Sequence, residues 1–193
     1  MATANRDIKA RLKATPDRIQ QDICNSKVIK SGLVLDNNVR HIAETSDLCV
    51  ADLPQGNLSV PLNLWLENAA AIKARSGLLA VQLASDEALT DLAEDLGDIN
   101  MIVLPFVNFV DGRGYSHARR LRQEHNYKGE IRAVGDVHFD QLHFLARVGC
   151  DAFELPDGDD HQAALRAFTE FSEVYQPASD AASLIFSRRR AVH

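Results

Sequence analysis

Between Leu78 and Tyr175 the chain repeats one pattern four times: a short apolar run, a polar turn, then apolar residues at helical spacing. The strand-like runs are residues 78–83, 99–104, 131–134 and 150–155. Stripes at three- and four-residue spacing follow them: Leu89, Leu92 and Leu96; Ala118 and Leu121; Phe139, Leu142, Leu145 and Val148; Leu165, Phe168, Phe171 and Tyr175. Gly97, Gly129 and Gly149 stand where helices would stop. Such an alternation favours parallel strands joined by helical crossovers. Four units are too few to close an eight-stranded barrel. The sequence therefore predicts an α/β fold of four successive βα units, forming an open parallel sheet or partial barrel.

Upstream, VIKSGLVL and VRHI flank Asp36-Asn37-Asn38, which predicts an N-terminal β-hairpin over residues 28–42. Pro54 and Gly56 mark residues 48–59 as a loop. Pro61 suits the first turn of a helix whose Leu62, Trp65, Leu66, Ala69 and Ile72 share a face, with Gly77 ending it. Ser85 and Ser116 are placed to cap the two helices that follow them. The organisation expected is an N-terminal arm (1–27), a single α/β domain (28–176) and a tail (177–193) whose Arg188-Arg189-Arg190 is a solvated run.

Charge and cysteine content narrow the function classes. A net charge of −6 over 193 residues argues against a nucleic-acid binder. No apolar run approaches the roughly 20 residues that cross a bilayer, and MATANRDIKARLK lacks a signal-peptide core. A cytoplasmic protein without membrane or nucleic-acid partners is expected; a homo-oligomer is left open. Cys24, Cys49 and Cys150 are odd in number and form no CxxC, so neither a disulfide framework nor a zinc ribbon is implied. Cys150 reads as a small buried residue.

In parallel α/β folds, ligands sit outside the carboxyl ends of the strands. Residues 111–116, 135–140 and 154–160 meet that condition and offer Arg113, Tyr115, Ser116, Asp136, His138, Asp140 and Glu154. The turn Asp111-Gly112-Arg113-Gly114-Tyr115-Ser116 admits two readings. Its glycines and the helix behind it make an anion cradle to which Arg113 adds a charged fork. Equally, it is a tight turn in which Asp111 and Arg113 pair locally. As a dinucleotide fingerprint it is incomplete, with His117 where Gly or Ala belongs. NAD(P) and flavin are thus poorly supported, and no cofactor is required. Asp136, His138 and Asp140 alternate as D-x-H-x-D, but Asp136 or Asp140 as a helix cap is the simpler reading. His117 and His143 read as surface helix residues, and Trp65 and the phenylalanines as core. No complete catalytic motif is present.

The segments VPLNLW (60–65), DGRGYS with HARRLR, YKGEIRAVGDV (127–137), DQL (140–142), GCDAFEL (149–155) and FSEVYQ (171–176) resemble a bacterial domain-of-unknown-function family encoded beside assimilatory sulfite reductase. Its members are often labelled oxidoreductases of sulfite reduction. The resemblance covers about residues 32–176. It implies an accessory protein or oxidoreductase component of sulfite reduction in cysteine biosynthesis, with sulfite reductase as partner. The family's motif residues fall on Asp111, Gly112, Arg113, Gly114, Tyr115, Ser116, Arg132, Gly135, Asp136, Asp140 and Gln141. No catalytic role comes with them. The alternative is an independent small-molecule enzyme that binds an anion or nucleotide at the DGRGYS turn, with Arg132 and Asp136 nearby.

Overall fold

The computed structural model describes residues 27–42, 50–108, 110–156, 158–171 and 173–180. The expected arm except Lys27, the arginine run, Cys24 and Cys49 lie outside them. Among the described residues, strands β1 (Lys27–Lys30), β2 (Leu33–Asp36), β3 (Arg40–His41), β4 (Leu58–Pro61), β5 (Leu79–Gln82), β6 (Met101–Phe106), β7 (Glu130–Gly135) and β8 (Ala152–Phe153) form one sheet. Its order is β2-β1-β8-β7-β6-β5-β4-β3. From β3 to β8 all pairings are parallel, whereas β1 runs antiparallel to both β2 and β8. The sheet is open and curled, a half-barrel, with helices α1 (Leu62–Lys73), α2 (Arg113–Gln123), α3 (Phe139–Val148) and α4 (His161–Ala164).

Strand alternation sorts the side chains onto two faces. Ile102, Leu104, Ile131, Ala133 and Phe153 join Ala118 and Leu121 of α2 and Leu142 and Leu145 of α3 in the main core. The alternate positions Ala80, Met101, Val103 and Val134 form a smaller cluster with Val39 on the other, concave face. Trp65 is fully buried, and its indole N–H donates to Asp95 at 2.8 Å. Lys73 binds the same carboxylate at 2.6 Å, so the two hold the Asp95 carboxyl below its usual range, Lys73 contributing most.

Several elements depart from the sequence reading. The hairpin exists, but inside VIKSGLVL: β1 pairs β2 from Lys27↔Asp36 to Lys30↔Leu33. Its two-residue turn is Ser31-Gly32, both at positive φ (53° and 74°), the conformation whose twist matches the flanking strands. Asn37 instead accepts the Val39 N–H at 3.1 Å, and VRHI continues to the opposite edge as β3, parallel to β4. The stretch expected as loop to residue 59 already contains the first two residues of β4, a strand whose residues are all buried. Among the described residues, eight strands replace the hairpin plus four.

The Leu89–Leu92–Leu96 stripe is buried as expected, yet it forms only a 3-10 segment, Leu89–Leu92. A train of three-residue turns carries those leucines, held by the Glu87 carboxylate on the Ala84 N–H at 2.6 Å. Ser85 caps nothing; its hydroxyl donates to Asp111 at 2.7 Å. The last helix is likewise short. Asp160 caps α4 by accepting from the Gln162 and Ala163 N–H groups, a 3-10 turn (Leu165–Phe168) follows, and Phe171 and Tyr175 are exposed. The α2 helix ends at Gln123 rather than running to Gly129: Asn126 turns to positive φ (51°) and the Tyr127 N–H donates back to the Leu121 carbonyl at 2.9 Å, while the Arg122 guanidinium donates to the carbonyls of Tyr127, Gly129 and Gly149. By contrast, α3 has the Gly149 stop, at φ 116°, and buries Leu142 and Leu145 of its stripe, while Phe139 at its start is exposed.

Candidate functional site

Helix α2 begins at Arg113, with Gly112 rather than Ser116 at the cap position. Asp111 is the group that satisfies this end. Its Oδ1 accepts the Arg113 backbone N–H at 3.1 Å and the Arg113 Nε–H at 2.9 Å, while Oδ2 accepts from the Arg113 guanidinium and from Ser85, each at 2.7 Å. Arg113, then Ser85, hold the Asp111 carboxyl well below the usual carboxylate range. A carboxylate of the chain itself thus occupies the charged fork. Neither Gly112 nor Gly114 adopts a positive φ. Gly114 is required for closeness: a Cβ there would lie 2.7 Å from the Phe106 ring, which Tyr115 already meets edge-on at 5.6 Å.

Two further parts of the predicted site lie on the same edge. Gly135 ends β7 at φ 94°, with space for a Cβ denied by the Phe106 carbonyl oxygen at 2.5 Å; the Asp136 N–H donates to that oxygen at 2.7 Å. Asp136 pairs with His138 at 2.9 Å. The residue at the α3 cap is His138, not Asp136 or Asp140, and the Gln141 side-chain oxygen accepts its backbone N–H at 2.9 Å. Tyr115 connects the two helix starts through Gln141; burial, then the Asp140 charge, raises its phenol above the ordinary value. Asp111, Arg113, Tyr115, Asp136, Asp140 and Gln141 therefore share one edge, and Ser116 is exposed beside them. His117, expected at the surface, is buried, its Nε2 3.4 Å from the Ser85 carbonyl oxygen. His143 is half-buried against Phe171. Among the described residues no group of three or more His, Cys, Asp or Glu side chains could hold a metal ion.

Arg132 is not part of that edge. Ile131 and Ala133 face the helices, so Arg132 projects onto the concave face and is buried. Its guanidinium donates to Asn37 at 2.8 Å, to Glu154 at 2.9 Å and to Glu130 at 2.7 Å; Lys30 completes the chain of charges at 2.5 Å from Glu130. Glu154 receives a second partner from the far edge of the sheet. His41 of β3 places Nε2 3.1 Å from both carboxylate oxygens and Nδ1 2.5 Å from the Ser59 hydroxyl oxygen. Gln82 donates to that hydroxyl at 3.1 Å and to the carbonyls of Ile42 and Ser59.

Gln82 donates to the Ser59 hydroxyl oxygen, which lies beside His41 Nδ1, and His41 Nε2 lies against the Glu154 carboxylate. Burial pushes the Glu154 carboxyl upward, but His41 and Arg132 outweigh it and bring it below its ordinary value. A serine, a histidine and a carboxylate in series resemble a hydrolytic relay. Here the serine is fully buried, and its oxygen is shared with Gln82. The relay is a clasp that joins β3 to the end of β8 across the curl. Sequence reasoning named Arg132 and Glu154 but missed His41, Ser59, Gln82 and Asn37. The only local signal was polar residues at alternate positions of otherwise buried strands.

The fold and these clusters define a class: an α/β half-barrel with a glycine-bearing strand-to-helix edge and a buried polar clasp on its concave face. The family model described as a bacterial protein of unknown function (DUF934) matches residues 80–186, more than half of the chain. The chain belongs to that family. No curated protein and no solved structure matches it. No helix among the described residues is long and apolar enough to cross a membrane.

Proposed function

We propose that this chain is a cytoplasmic accessory component of assimilatory sulfite reduction, acting by docking to sulfite reductase rather than by chemistry of its own. The sulfite link rests on the motif resemblance. The docking mode rests on one observation, an exposed aromatic patch at the junction of α3 with the segment after α4. Phe144 and Phe171 are more than half exposed and Phe139 nearly so. The His143 ring ties them together, 4.9 Å from Phe171 and 6.1 Å from Phe144, one helical turn beyond Phe139. Exposed aromatics grouped in this way are the residue types that dominate interface energetics.

The direct test is a titration of purified sulfite reductase with the full chain, read by a surface-binding assay and by sulfite turnover. Saturable binding is expected, weakened about tenfold or more in Phe144→Ala/Phe171→Ala. No binding and no change in turnover would remove the proposal. The alternative, an anion- or nucleotide-dependent enzyme at residues 111–116, requires a ligand to displace Asp111 from Arg113. A rise in melting temperature with sulfite, phosphate, NADPH or FMN that disappears in Arg113→Ala would favour it.

A further inference from the structure

The two edges of the sheet are finished differently. At one, β3 is two residues long, carries Arg40, and is fastened by His41 to Glu154. At the other, β2 is LVLD, with Leu33 60% and Leu35 42% exposed. Proteins blunt open edges with lysine, proline, bulges or very short strands. The β2 strand has none of these, and its only charge, Asp36, is bound to Lys27.

The hairpin register says which backbone groups are open. In a two-residue hairpin the pair flanking the turn exchanges both hydrogen bonds, and such pairs then alternate. Lys30–Leu33 and Val28–Leu35 are therefore the bonded pairs, and Val34 turns its N–H and C=O away from β1. Leu33 and Leu35 share one face of the sheet.

We propose that β2 pairs antiparallel with β2 of a second copy, about a two-fold axis at Val34, joining two half-barrel sheets into one. Each Val34 N–H donates to the other copy's Val34 carbonyl. Leu33 falls opposite Leu35 twice, at non-bonded positions where cross-strand side chains approach most closely. Asp36 falls opposite Gly32, which carries no charge. An axis at Asp36 would set two carboxylates against each other, and one at Leu35 would place Leu33 opposite Asn37. The self-complementary centre is Val34, and this selects a second copy as the occupant. The proposal is independent of the sulfite reading.

Sedimentation equilibrium of the full chain, from about micromolar to about millimolar concentration, tests it. The apparent mass is expected to rise toward twice that of the monomer. In Leu33→Lys/Leu35→Lys, association should weaken about tenfold or more while far-ultraviolet dichroism and Trp65 fluorescence stay unchanged. Amide exchange at Val34 in the unmodified chain should slow with concentration, a readout that holds even if the variant misfolds. A wild-type monomer throughout the range, concentration-independent exchange at Val34, or a dimer indifferent to the two lysines in a folded variant would each overturn the proposal.

Discussion

The two charged clusters of this molecule use similar groups in opposite surroundings. On the concave face, Arg132, Glu154 and His41 are almost wholly buried. On the glycine-turn edge, Arg113 is open to water, its side chain 59% exposed, and Asp111 is only half-buried. Removing one member of a buried pair leaves an uncompensated charge in a medium that solvates it poorly. Removing one member of an exposed pair hands the other to solvent and screening salt. The same bond lengths thus make a structural clasp in one place and, in the other, a local lock whose loss the fold tolerates.

The largest expected effect is on the buried side. Arg132→Ala leaves Glu130 with Lys30 alone and Glu154 with His41 alone, and is expected to lower unfolding free energy by about 3–5 kcal/mol, read by urea denaturation through the single tryptophan. Next comes backbone geometry between β7 and β6. Gly135→Ala meets both a positive φ and the Phe106 carbonyl oxygen, and about 2–3 kcal/mol should be lost. Gly114→Ala presses on the buried Phe106 ring instead, and about 1–3 kcal/mol is expected.

How much of this was legible in sequence depended on the range of the deciding interaction. The centre of the α3 stripe, Leu142 and Leu145, and the Gly149 stop are local and emerged as read, as did the burial of Trp65 and Cys150; Phe139, at the open start of the helix, did not. The Leu89–Leu96 stripe had the right buried face and the wrong helix, because periodicity reports burial while the Glu87 contact to Ala84 sets the turn type. Asp36-Asn37-Asn38 looked like the hairpin turn, but Ser31-Gly32 won by its backbone twist, freeing Asn37 to reach Arg132. Asp111 pairing with Arg113 was one of two open readings, since two residues apart is a range at which sequence can speak. His41 and Glu154 are 113 residues apart, and nothing near either names the other.

Acid sharpens the contrast. The folded Glu154 carboxyl lies below its ordinary value of 4.5, so its stabilising contribution is present above that pH and is lost as pH falls through the folded value. Asp111 has the same sign, but its partners are more exposed. Stability measured downward from pH 6 should fall less steeply in Glu154→Gln than in the unmodified protein, with a smaller flattening in Asp111→Asn. The smallest effect is expected of Arg113→Ala, whose urea midpoint should match the unmodified protein within error.

His41 and Glu154 hold the far strands of the sheet together across its concave face. A double-mutant cycle on His41→Ala and Glu154→Gln, measured by urea denaturation, tests it directly. A coupling of about 1–3 kcal/mol between the two sites is the expected result. Additivity within about 0.5 kcal/mol would mean that the two side chains stabilise the fold independently, and the clasp would not be what closes the curl.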